Sequence, residues 1–254
     1  MTKSTKKNTK KKALVEVFAK EFHGPPIADA SVTDLHSGKV WKTNASGYVG
    51  IESAPGEKLT LMFQGGKYPD VQTGTIIVPP KGLTGEDNEI TFEVPSRGLY
   101  KALLFAFGGP KTGTRHVATT VLAAGSNLHH NFGEPGAKVY LVGTDGKRYE
   151  NVLYLAAKSD GHGSHTTSWP SAILKRRLSQ VFSAAARRVG ESATTIDGGV
   201  LIPDVPYGEY KIVAEKKDAN GNPVIFSEAR VTVAEVSPKL INVSPPQGPR
   251  VAKP

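Results

Sequence analysis

The stretch Gly133–Val152, GEPGAKVYLVGTDGKRYENV, decides the fold. It opens on a Gly-Glu-Pro-Gly turn and runs into alternating Val139 and Leu141 with Tyr140 between them. It closes on Thr144-Asp145-Gly146, a composition suited to a tight hairpin turn. Period-two alternation bounded by turn residues is the signature of a half-buried strand. The same pattern continues on both sides. Upstream stand ALVEVFAKEF, ADASVTDL, KVWKTN, GYVGIES, KLTLMFQ, VQTGTIIVP and NEITFEVP, seven short segments spaced near ten residues apart. Downstream come NVLYLAAK, GGVLIPDVPYGEYKIVAEKK, the stretch through ARVTVAEV, and KLINVSP. In the first segment Leu14, Glu16 and Phe18 share one side, and Val15 and Val17 the other. Such spacing predicts an antiparallel all-β sandwich architecture.

Composition agrees. The 254 residues include 27 Gly and 18 Pro, and 38% are hydrophobic, which favours short strands joined by many turns over long helices. Cysteine is absent, so disulfides, thiolate metal sites and cysteine nucleophiles are excluded. The net charge of +9 is uneven: the first twelve residues, MTKSTKKNTKKK, carry six lysines and no acid. That segment reads as a disordered, solubilising tail. The chain lacks the interleaved aromatic and basic residues of single-strand binders, so no specific nucleic-acid partner is expected. ALVEVFAKEF is interrupted by Glu16 and Lys20. No signal peptide and no transmembrane segment are therefore read, which makes the protein cytoplasmic by default, or exported by a signal-independent route.

The expected organisation is a Lys-rich tail over residues 1–12, a first sandwich over 13–94, a linker over 95–114, a second sandwich over 115–244 and a Pro-rich tail over 245–254. Within the linker, LYKALLFAF suits a short helix or a strand, and GGPKTGT a flexible break. The second half is interrupted by SWPSAILKRRLSQVFSAAARRVG. Ser168 there suits an N-cap and Pro170 the first turn. Leu174, Leu178, Val181, Phe182, Ala185 and Val189 recur at helical spacing, and Gly190 suits the C-cap. One basic amphipathic helix, 169–190, is therefore expected inside the second sandwich, its apolar stripe packed on the sheets.

The two halves share a phrase. PIADASV and GEPGAKV are openings, TNASGYVGI and TTIDGGVLI are T-x-x-x-G turns, and VPYGEYKIVAEK is a P-x-G-x-Y closing strand. The first half departs at its close, APGEKLTL, with Lys58-Leu59 where the tyrosine is usual. This scheme resembles the carboxypeptidase regulatory-like domains of the transthyretin-like (prealbumin-like) sandwiches. The resemblance covers 13–94 and 115–244. It implies two tandem antiparallel Greek-key β-sandwiches and a structural, adapter or protein-binding role without catalytic residues. Some relatives on bacterial surfaces form Lys–Asn isopeptide bonds, for which Lys20 with Asn88 is the formal counterpart here.

Two other function classes have candidate residues. Five of the seven histidines fall between His116 and His165. A divalent-metal loop site would draw on His129 or His130 with His162 and His165, and Glu134 and Asp160 could add oxygen ligands. Adjacent strand residues point to opposite sides, however, and HGSH is not an established zinc spacing. Tyr140, Tyr149 and Tyr154 near these histidines give a partial resemblance to the related sandwich of the intradiol dioxygenases, but the H-x-H pair and the W-x-A-type segment usual there are missing. No catalytic residue and no resident cofactor are expected. Carbohydrate adhesion would draw on Tyr68 and Trp169. No nucleophile elbow or Walker loop is present.

Overall fold

The computed structural model describes residues 12–21, 24–85, 89–124, 133–154, 193–194, 198–236 and 240–242. The first half forms seven strands: β1 (Ala13–Glu21), β2 (Ser31–Asp34), β3 (Val40–Lys42), β4 (Tyr48–Ser53), β5 (Lys58–Gln64), β6 (Val71–Ile77) and β7 (Ile90–Val94). A sheet of order β4-β1-β7 faces β3-β2-β5-β6. In β1 the alternation is realised as read: Val15, Val17 and Ala19 are fully buried, while Leu14 is exposed and Phe18 stacks on Tyr48 at 4.4 Å. The inner residues meet Ile51, Phe92, Leu61, Phe63 and Val71 in one apolar core.

Among the described residues the second half has eight strands: β8 (Thr114–Thr120), β9 (Lys138–Gly143), β10 (Arg148–Tyr149), β11 (Leu153–Tyr154), β12 (Gly199–Pro206), β13 (Gly208–Glu215), β14 (Ala229–Val233) and β15 (Leu240–Asn242). Here β11-β12-β8-β15 faces β10-β9-β13-β14 around Val117, Leu141, Ile202, Ile212, Val231 and Ile241. Apart from the additional edge strand β11, this is the strand order of the first half. β12, β8 and β15 stand where β4, β1 and β7 stand; β10, β9, β13 and β14 stand where β3, β2, β5 and β6 stand.

The architecture differs from a purely antiparallel reading in one respect. The last strand of each half lies parallel to its first: β7 beside β1, with Lys20 opposite Glu93, and β15 beside β8. Alternation fixes which face a residue takes, but not the direction of the neighbouring strand, so the sequence is silent on this point. β15 is also parallel to β6, and so fuses the two halves into one eight-stranded sheet, β11-β12-β8-β15-β6-β5-β2-β3.

Between the halves, α1 (Arg97–Phe107) is the one helix among the described residues. Ser96 stands at its N-cap position, with its carbonyl accepting from Tyr100 N–H at 2.9 Å, and Gly108 at φ +78° ends it. Phe105 points into solvent at 83% exposure. The expected helix 169–190 lies outside the described residues. No described helix is long and apolar enough to cross a membrane.

The closing strand of the second half is tied by Tyr210, whose hydroxyl donates to Pro206 O at 3.0 Å and whose ring meets Tyr149 edge-on at 5.4 Å. Burial, together with the hydroxyl contact to Tyr149, pushes the Tyr210 phenol up to about 12, so it remains a donor at every physiological pH. Tyr210→Phe should lower stability by about 1 kcal/mol, the value of one such bond. Urea unfolding with an unchanged m-value checks it.

Candidate functional site

Among the described residues the best-built polar sites are two matching clasps, one in each half. In the first, buried Thr43 donates its hydroxyl to Ile27 O (2.8 Å) and accepts from Ala30 N–H (3.0 Å). Its own N–H donates to Ala30 O, and Asp29 N–H donates to Thr43 O. In the second, buried Thr194 donates to Glu134 O (2.5 Å) and accepts from Ala137 N–H (2.9 Å). Thr194 N–H donates to Ala137 O, and Gly136 N–H to Thr194 O. Four residues on, Gly47 and Gly198 hold positive φ. Their carbonyls accept from Ala19 and Val121 N–H, and the carbonyls of Ala19 and Val121 accept from Ile27 and Glu134 N–H. In sequence the T-x-x-x-G phrase signals only a turn. Its threonine locks the opening loop, the first strand and the turn together.

A second polar cluster joins the approach to β8 with β12. β12 carries a bulge between Ile202 and Val205, where Asp204 holds φ +53°. Asp204 receives Lys111 N–H (3.1 Å) and pairs with Lys111 Nζ (3.0 Å). Asp204 N–H donates to His116 Nδ1 (3.2 Å), so His116 carries its proton on Nε2 and donates to Gly108 O (3.0 Å). Both nitrogens of this buried histidine are thus used by backbone. Beside it, Arg115 donates to Thr114 O (2.7 Å), Tyr207 Oη (3.0 Å) and Val236 O (2.9 Å), with its guanidinium over the Tyr207 ring. Partial burial alone would push the Asp204 carboxyl up. The bonds and charge of Lys111 outweigh this and hold it below its ordinary 3.8.

A carboxyl depressed in the folded state adds stability above its unfolded value and loses it as pH falls through the lowered one. The melting temperature of the native chain should therefore fall relative to Asp204→Asn as pH drops from 5 towards and below 3.8, and the two curves should run parallel from 5 to 7. Paired thermal melts across that range check it.

The third cluster lies where β14 of the second sandwich crosses the outer face of β6. Gln72, fully buried, donates to Thr232 O at 2.5 Å, and Thr75 Oγ1 meets Thr232 Oγ1 at 2.7 Å. A line of contacts runs back from Thr75 to Thr60 (2.9 Å) and His36 Nε2 (2.9 Å). Lys58 and Glu209 span the same seam at 3.7 Å, half exposed and of little energetic weight.

His129, His130, His162 and His165 lie outside the described residues, as do Asp160, Trp169 and Asn88. Among the described residues no group of three His, Asp or Glu side chains could hold a metal ion. Glu134, a candidate oxygen ligand, is paired with Lys216. Tyr140 bonds Glu215, and Tyr154 Oη accepts from Val139 N–H at 2.8 Å. Tyr68 donates to Glu21 at 3.0 Å, and Lys20 is paired with Glu93 at 2.9 Å.

No family model matches this chain, and no curated protein matches it. Among solved structures it is similar to the Bacillus anthracis TIE protein, with 12% identity and a TM-score of 0.25 over 94% of this chain and 34% of that one. It is also similar to the shaft pilin SpaA from Lactobacillus rhamnosus GG, with 8% identity and a TM-score of 0.27 over 96% of this chain and 100% of that one. For BcpA, the major pilin subunit of Bacillus cereus, the values are 9% identity and 0.27 over 93% and 99%. The chain thus spans about a third of the TIE protein. Superpositions this loose carry no argument about function, and what is established for this chain is an all-β fold with several antiparallel sheets.

Proposed function

We propose that the protein is a non-enzymatic structural or adapter module that binds other proteins, built from two tandem carboxypeptidase regulatory-like, transthyretin-like domains over 13–94 and 115–244. The observation that carries this reading is the use of its buried polar groups. Thr43, Thr194 and His116, as well as Asp34, which accepts from His36, Ser37 and Thr60 N–H, all hold loops and strand ends in place. Side chains so engaged are framework, and a framework module acts through its surface. The matching clasps support the two-domain division, because unrelated loops have no reason to share six hydrogen bonds at equivalent positions.

The open edges of this framework offer backbone to a partner. β3 is one, with Val40 58% exposed. The test uses the intact chain as bait. A specific protein partner should be retained, and a Val40→Lys variant that melts like the native chain should lose any partner that docks there. Turnover of a defined substrate by the purified protein would overturn the reading.

A further inference from the structure

We infer that the slot between β6 and β8 is a strand-binding site that a second copy of this chain can fill with its own β15. This rests on the protein-binding reading above and names the partner. The slot is bounded on both sides by backbone edges that run the same way. Leu240 pairs with Val71 and Ile241 with Gln72 on the β6 side; Ile241 pairs with Val117 and Asn242 with Ala118 on the β8 side. Its two walls belong to different sandwiches, yet neither depends on β15 for its place. β6 is held by β5 and β8 by β12, while β14, which shares a core with β8, is tied to β6 through Gln72, Thr75 and Thr232. Withdrawing β15 would leave a preformed cleft with unpaired N–H and C=O groups on both sides and an empty socket where Ile241 is now fully buried. Such an edge is a template for strand addition.

The occupant is set by fit. The segment that demonstrably suits this cleft is Leu240–Asn242, and an identical segment from another copy makes the same ladder and fills the same socket. Exchange therefore leaves the contacts unchanged and is governed by chain concentration. β15 has only three residues, with two register pairs on each side, so releasing it disrupts a small part of either core.

The absence of cysteine gives a direct test on the full chain. One population carries Asn242→Cys, the other Ala118→Cys. These are register partners, and paired strand residues lie within disulfide reach. A chain with both changes should close an internal disulfide under mild oxidation, which shows that fold and register survive. Mixed single variants should yield a disulfide-linked dimer that grows with concentration and exceeds, several-fold, the yield from Asn242→Cys mixed with Lys138→Cys. Lys138 lies in the facing sheet, away from the slot. Adding Ile241→Asp to the Asn242→Cys chain should abolish the excess. An internal disulfide in the double variant with no dimer above the Lys138→Cys background would overturn strand exchange. The protein-binding reading would still stand or fall by the capture experiment, which uses a different edge.

Discussion

Thr43→Val should destabilise the protein by about 3 kcal/mol, and Thr194→Val by a similar amount. Valine keeps the shape of threonine and removes only the hydroxyl. Ala30 N–H and Ile27 C=O are then stranded next to an apolar side chain, and each buried orphan costs about 1–3 kcal/mol. For a chain of this size that corresponds to a melting midpoint lower by about 6–12 °C. Thr43→Ser retains both bonds and loses one methyl, a cost of about 0.8 kcal/mol. The ordering matters more than the absolute values. If calorimetry placed Thr43→Val level with Thr43→Ser, the clasp would be packing rather than hydrogen bonding.

Gly198→Ala should be more severe, with loss of the folded second sandwich or a cost above about 4 kcal/mol, at the far end of what point changes do. A Cβ at position 198 would sit 2.2 Å from Val121 O and 2.9 Å from Gly133 Cα. Neither can retreat easily, because Val121 is bonded through both its N–H and its C=O to this same clasp. The φ of +63° adds strain of its own. Gly146→Ala provides the contrast. Its φ is +77° with nothing within 4 Å of the added atom, so only the conformational term of about 1–2 kcal/mol should appear. Equal effects at 146 and 198 would remove the clash argument.

The strands were legible because alternation reports burial directly. All seven segments read in the first half became strands, and Val15, Val17 and Ala19 took the inner face. The two-residue β10 escaped notice, since Arg148-Tyr149 is too short to show a period. The parallel placement of β7 and β15 is a long-range choice that no local pattern encodes. The clasps were half legible: the openings and T-x-x-x-G turns stood out as repeated phrases, but their pairing brings Thr194 beside Glu134, sixty positions away. Asp204 and His116 gave no signal at all. A bulge and the histidine that caps it are separated by 88 residues and become a pair only in three dimensions.

The placement of β15 also bears on how the chain is made. Synthesis proceeds from the N-terminus, and domains tend to fold as they emerge. β1 and β7 enclose the first sandwich, so that unit can close early, but its β6 edge stays bare until residues 240–242 leave the ribosome. For the whole time the second sandwich is being translated, the nascent protein displays an unsatisfied strand edge to its neighbours on the same messenger. Adjacent ribosomes would hold several such edges close together, and the earliest strand to reach one of them need not come from the same polypeptide.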